Sequence, residues 1–188
     1  MLKKAKLYYD TVKWLRWEQI VYRIYYRFAK PRVKCVERYT ETNTHLWIWT
    51  GPEFLKPSLL SSTEAIFLNE RGPLRTKSDW NNPKKEKLWL YNLHYFDDLN
   101  AKRSQERIIS HKEVMQRWIN QNPPPAGNGW EPYPLSLRIV NWVKWLSRQE
   151  DKDEKLHKSL LQQVDILDQQ LEYHILGNHL FANAKALL

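Results

Sequence analysis

Cysteine is almost missing from this chain: its 188 residues contain one, Cys35. A single thiol cannot close a disulfide within the chain or build a cysteine-rich metal site. Glycine is also scarce, with five residues, which favours helices over a turn-rich β fold. No segment approaches ~18 uninterrupted apolar residues, so no transmembrane helix is expected. The basic start Met1-Leu2-Lys3-Lys4-Ala5-Lys6 is not followed by an apolar run, because Asp10, Lys13 and Arg16 break it. No signal peptide is read there, and the expected location is cytoplasmic. The length suits one domain of ordinary size.

Aromatic residues are plentiful: ten tryptophans, ten tyrosines and five phenylalanines. Such rings pack over large areas, stack on sugars or lie at membrane interfaces. The net charge of +9 is unevenly spread. Residues 1–38 carry eleven basic groups against Asp10, Glu18 and Glu37, and the remaining 150 residues are nearly neutral. Basicity confined to one arm, with no helix-turn-helix, zinc-finger or RRM pattern after it, argues against a nucleic-acid partner.

Residues 1–38 form a basic, aromatic, amphipathic arm whose helix is expected over 7–29 and ends at Pro31. Such a helix can lie on an anionic membrane surface, or pack on the body with its arginines snorkelling. Residues 39–86 read as an irregular connector. The apolar runs 45–49 and 65–68 are expected as two short strands, with turns at Gly51-Pro52, Gly72-Pro73 and Asn81-Asn82-Pro83. From Lys87 onward the chain reads as mostly helix: an aromatic-dense stretch over 88–99, a helix over 106–121, one carrying Leu135, Ile139, Trp142 and Leu146 with Pro134 acceptable in its first turn, and one from about 154 to 174. Residues 147–155 are a charged linker. His94 and Tyr95 are tempting functional groups, with a packing role as the plainer reading. Consecutive helices with short connections imply stacked helical hairpins.

Two stretches carry polar groups in apolar settings. In 126–142 a Gly-Asn-Gly turn delivers Trp130, Glu131 and Tyr133 to a helix start, with Arg138 and Asn141 on another face. The loop either lines a sugar cleft or plugs the core with its tryptophan. It is no phosphate loop, lacking a Gly-Lys-Ser/Thr ending. In 171–188 the apolar stripe Leu180, Ala184 and Leu187, widened by Phe181 and Leu188, follows Gly177-Asn178-His179. Asn178 either caps a helix beginning at His179 or is aimed at a ligand. A buried amide must find a partner, at a cost of ~1–3 kcal/mol otherwise.

The runs Gly-Asn-Gly-Trp-Glu-Pro-Tyr-Pro-Leu-Ser-Leu-Arg-Ile-Val-Asn-Trp (127–142), Leu-Gly-Asn-His-Leu-Phe-Ala-Asn-Ala-Lys-Ala-Leu (176–187) and Leu-Tyr-Asn-Leu-His-Tyr-Phe-Asp (90–97) together resemble the heparinase II/III polysaccharide lyases. The resemblance covers about 87–188. It implies a mostly α fold, a partial (α/α) toroid of helical hairpins with a few short strands in 40–86, followed in the family by a β-sandwich. The chain as read stops inside the toroid, so an amino-terminal part, inactive alone, is expected. The resemblance also allows a periplasmic location.

The implied chemistry is β-elimination on a uronate-containing glycan, with an acidic polysaccharide as partner. Asn178 matches the family's asparagine that neutralises the uronate carboxylate, and His179 the histidine beside it. An amide donor stabilises the charge that develops when the C5 proton leaves. A base and an acid must move the protons, and no match to them is found here. Trp130, Glu131, Tyr133, Arg138 and His174 are candidates to bind substrate. No metal site and no cofactor are expected. Leu180, Phe181, Leu187 and Leu188 are expected at an unfinished face open to self-association. The alternative is a non-catalytic helical module that binds glycan or a membrane surface.

Overall fold

The computed structural model describes residues 6, 9–10, 12–34, 47–150 and 153–188. Cys35 and the first two residues of the run 45–49 lie outside them. The described part is mostly helical, with six helices and one small antiparallel sheet. The helices are α1 (Trp17–Phe28), α2 (Lys87–Tyr95), α3 (Ile108–Gln121), α4 (Pro132–Leu146), α5 (Glu154–Asp168) and α6 (Gly177–Leu187). The strands β1 (Leu59–Ser61), β2 (Glu64–Phe67) and β3 (Glu70–Pro73) pair in chain order.

Helix α4 is central and packs against α2, α5 and α6. Its proline start suits the first turn, where backbone N–H groups have no helical partner. Leu135, Ile139, Trp142, Trp145 and Leu146 then bury one side of it. Five tryptophans are fully buried: Trp80, Trp89, Trp118, Trp142 and Trp145. Trp118 and Trp142 meet each other and Phe96 edge-on, as the aromatic quadrupole favours, and Trp80 stacks on Phe96.

Two buried histidines tie this aromatic core together. His94 accepts from Trp118 Nε1 at Nδ1 (3.0 Å) and lies 2.9 Å from the Trp80 carbonyl at Nε2. His111 accepts from Trp145 Nε1 (3.2 Å) and faces Asp98 Oδ2 at 2.9 Å. In both rings an indole N–H occupies Nδ1, so the ring proton sits on Nε2. His94 is therefore a core group. Asp98 also receives the Ser58 and Leu59 backbone N–H groups and the Arg107 guanidinium. It fastens β1 to the helical body. Burial would raise its pKa, but His111, the Leu59 and Ser58 N–H groups and Arg107 outweigh burial and hold it down at about 2.

Several element limits differ from the sequence reading. Helix α2 stops at Tyr95 because Phe96 takes a left-handed conformation (φ 58°) and turns the chain into the 3-10 turn Asp97–Asn100. The Phe96 ring is held there between Trp80, Trp118 and Trp142. Helix α5 ends at Asp168, six residues before the expected His174. The arm is broken by a turn at residues 13–15, so α1 begins at Trp17. Residues 47–49 form no strand, whereas β1 and β3 were not expected. The β2–β3 turn is made by Leu68 (φ 52°) and Asn69 (φ 61°), the two left-handed residues of a tight hairpin. No helix among the described residues is long and apolar enough to cross a membrane.

Candidate functional site

The turn 169–176 places the Asn178-His179 pair. Leu176 and Gly177 both take positive φ (66° and 56°), and α6 starts at Gly177. Asn178 is therefore inside the first helical turn and is not its cap. Its side chain is exposed, makes no hydrogen bond to any described residue, and lines a cleft of about 470 Å³ between α4 and α6.

Tyr133 walls the same cleft, and His179, which does not line it, packs tilted against the Tyr133 ring (4.5 Å between centroids). His179 Nδ1 meets Glu172 Oε1 at 2.9 Å. Glu172 is buried, and its second oxygen accepts from Asn183 Nδ2 (3.1 Å). Asn183 also donates to Ser136 Oγ (2.9 Å) and accepts from the Glu172 backbone N–H (2.7 Å). Ser136 in turn donates to the Pro132 carbonyl. This chain of bonds ties the turn before α6 and the middle of α6 to the start of α4, and the buried Glu172 holds His179.

The cleft also carries charged groups. Lys144 and Lys185 line it together with Asp97 and Asn141. Burial and the nearby Lys185 lower the Lys144 pKa, with Asp97 opposing them. Burial raises the Asp97 pKa, against the Asn141 hydrogen bond (2.7 Å) and Lys144. Two lysines and one carboxylate line the cleft with Asn178, which leaves a cationic surplus there.

A second cleft, of about 480 Å³, opens where α1 meets the Gly-Asn-Gly loop. Trp130, Glu131 and His174 belong to it, along with Tyr26, Lys30 and Gln170. Trp130 shows it little more than an edge: the ring is buried beside Trp118, and its Nε1 donates to the Asn122 carbonyl (3.0 Å). Glu131 is engaged by the Tyr91 hydroxyl and by Lys87 (2.9 Å). Burial lowers the His174 pKa, and its Nδ1 is buried without a partner. The loop itself is shaped by contacts. Gly127 has φ 96°, and Asn81 receives the Asn128 backbone N–H at 2.8 Å. A Cβ on Gly129 would lie 2.6 Å from His94 Nδ1.

Arg138 does not bind at either cleft. It is fully buried, its guanidinium 4.0 Å over the Trp118 ring, with Nε donating to Gln163 (2.9 Å) and Nη1 to the Gly129 carbonyl (2.7 Å). The substrate-binding expectation for Arg138 is corrected accordingly, because its charge is spent on interior carbonyls and an indole face.

The sequence-predicted residues are thus divided. Tyr133 and Asn178 share one cleft, with His179 packed against Tyr133; Trp130, Glu131 and His174 share another; Arg138 is internal. Glu172, Asn183, Lys144 and Lys185 were missed. Only Asn183 gave a signal, as a polar residue flanked by alanines one turn after His179. Among the described residues no three His, Cys, Asp or Glu side chains gather to hold a metal ion. Comparison of the chain with family models, curated proteins and solved structures finds no match.

Proposed function

We propose that this chain is the amino-terminal toroid part of a heparinase II/III-type polysaccharide lyase, and that the α4–α6 cleft receives a uronate residue of an acidic glycan. One observation carries the reading: the Asn178 amide has no hydrogen-bond partner among the described residues and lines an open cleft that Lys144 and Lys185 also line. The lysines attract the anionic sugar. Tyr133 offers a ring face for its apolar side. The Asn178 amide donates to the carboxylate without delivering a proton.

In β-elimination a base removes the C5 proton and the C5 electron pair forms the C4–C5 double bond. The C4–O bond breaks towards the leaving oxygen, which takes a proton from an acid. Negative charge grows on the carboxylate as C5–H breaks, so a fixed amide donor there lowers the barrier. The free N–H groups of the α6 first turn add favourable potential. The reading assigns neutralisation to this chain and both proton transfers to groups outside it. The stacked helices around α4 are the part of the toroid that this reading claims.

The test is titration of the chain with polyuronate oligosaccharides and with neutral oligosaccharides of equal length. The expected result is binding of the uronates only, weakened about tenfold or more by Asn178→Ala. Lyase activity is followed by the ultraviolet absorbance of the unsaturated product, in the chain and in any longer form of the protein. Uronate binding without product in every form favours the non-catalytic glycan-binding module. No uronate binding by the chain sinks the proposal.

A further inference from the structure

Helix α1 has two aromatic faces that do different things. One is docked: Tyr22 packs on Tyr173 (4.6 Å between centroids) and Tyr26 on His174 (5.5 Å). Gln19 reaches the Ile175 carbonyl. Beyond the helix, the Arg32 backbone exchanges hydrogen bonds with Gln169 (2.8 and 3.1 Å), and Lys34 pairs with Asp165 (2.6 Å). These contacts fix the rotation of α1 on the body. The opposite face is therefore held outward. Trp17, Val21, Ile24 and Phe28 recur at helical spacing along it and are 70%, 50%, 59% and 82% exposed. No residue of α1 is buried.

Four large apolar side chains in one exposed line need a partner, and the surrounding charge selects it. Between residues 12 and 34 stand Lys13, Arg16, Arg23, Arg27, Lys30, Arg32 and Lys34, against Glu18 alone. A second copy of the chain would bring the same cationic surface against this one and be repelled. Branched aliphatic side chains such as Val21 and Ile24 offer no flat face to a sugar ring. A surface that is anionic outside and apolar just beneath satisfies both features, and a bilayer leaflet of anionic lipid has that layering.

We propose that the outward stripe of α1 is a peripheral membrane contact that lies in the headgroup layer of an anionic bilayer. Trp17 and Phe28 sit at the two ends of the stripe and insert, while Arg23 and Arg27 pair with lipid phosphates on its flank. The docked Tyr22–Tyr26 face then holds the helical body above the bilayer.

The experiment is co-sedimentation of the chain with vesicles of phosphatidylcholine and with vesicles of an equal mixture of phosphatidylcholine and phosphatidylglycerol. The expected result is binding to the anionic vesicles only, lost at high salt. Arg23→Ser with Arg27→Ser weakens binding roughly thirtyfold, and Trp17→Ser with Phe28→Ser abolishes it. All four side chains are free of the core, so circular dichroism of both variants matches the parent. Asn178→Ala leaves vesicle binding unchanged, which separates this contact from the glycan reading. Equal binding to neutral vesicles, no binding to either, or full binding by the Trp17→Ser/Phe28→Ser variant overturns the proposal. So does a concentration-dependent dimer that the same two substitutions dissolve.

Discussion

Arg138 shows how a single charged residue can serve the interior. Its guanidinium lies 4.0 Å over the Trp118 ring and forks to Gln163 and to two backbone carbonyls, those of Gly129 and His94. Lysine carries the charge but neither the fork nor the flat face. Arg138→Lys is expected to cost about 2–4 kcal/mol in urea unfolding, because it strands buried acceptors. A midpoint within error of the parent would contradict this account. The sequence misled at this position for a physical reason. A charged residue on a helix is ordinarily solvated, and only chain folding brings in the carbonyls, one of them 44 residues away. Asn178 is the opposite case. The glycine before it signalled a bend, and the bend is there, so the amide escapes local capping.

At the scale of elements, α6 depends on buried polar anchors more than on its apolar stripe. Leu180 and Leu187 are half-buried, whereas Phe181 and Leu188 are exposed. The fixed points are Asn183 and Glu172, joined to each other and to Ser136 of α4. Asn183→Ala is expected to destabilise the chain by about 1–3 kcal/mol and to speed amide hydrogen exchange across Gly177–Leu187 before other helices. Uniform exchange along the chain would show that α6 is not held this way. A second element test is Gly129→Ala. Its Cβ would press on the fully buried His94 ring, so a loss of about 1–3 kcal/mol is expected. The core of α3, α4 and α5 was legible because apolar residues repeat at helical spacing. The sheet was less so. Strand β3, Glu-Arg-Gly-Pro, has no alternation, and its Gly72 is required because the Trp89 ring lies where a Cβ would be. The end of α2 carries no glycine or proline, since buried aromatics enforce the left-handed Phe96. The cleft was half legible: Tyr133 and Asn178 stood in recognisable runs, whereas Asp97 and Lys144 join Asn178 only through the packing of the chain around α4.

For the whole molecule, the buried histidine–tryptophan network sets the response to acid. Burial, aided by Arg138, pushes the His94 pKa from 6.5 down to about 3. The unfolded chain therefore takes up a proton below pH 6.5 that the native chain refuses. Stability falls from about pH 6.5 downward, by about 1.4 kcal/mol per unit for this group, until the native ring itself protonates near 3. Asp98 acts at lower pH. Its folded pKa is held at about 2 against an ordinary 3.8, so its contribution is present above 3.8 and is lost as pH falls through 2. The unfolding free energy should decline first gently and then more steeply below about pH 4. His94→Gln keeps a donor for the Trp80 carbonyl and an acceptor for the Trp118 N–H but cannot titrate. It is expected to lower stability at neutral pH while flattening the decline between pH 6.5 and 4. Asp98→Asn instead removes the steep limb below 4 and leaves the upper one. Urea titrations of the three proteins across this range decide the matter. If the His94→Gln curve runs parallel to the parent's, the upper limb belongs to other groups. In that case neutral His94 is not what makes the fold sensitive to mild acid.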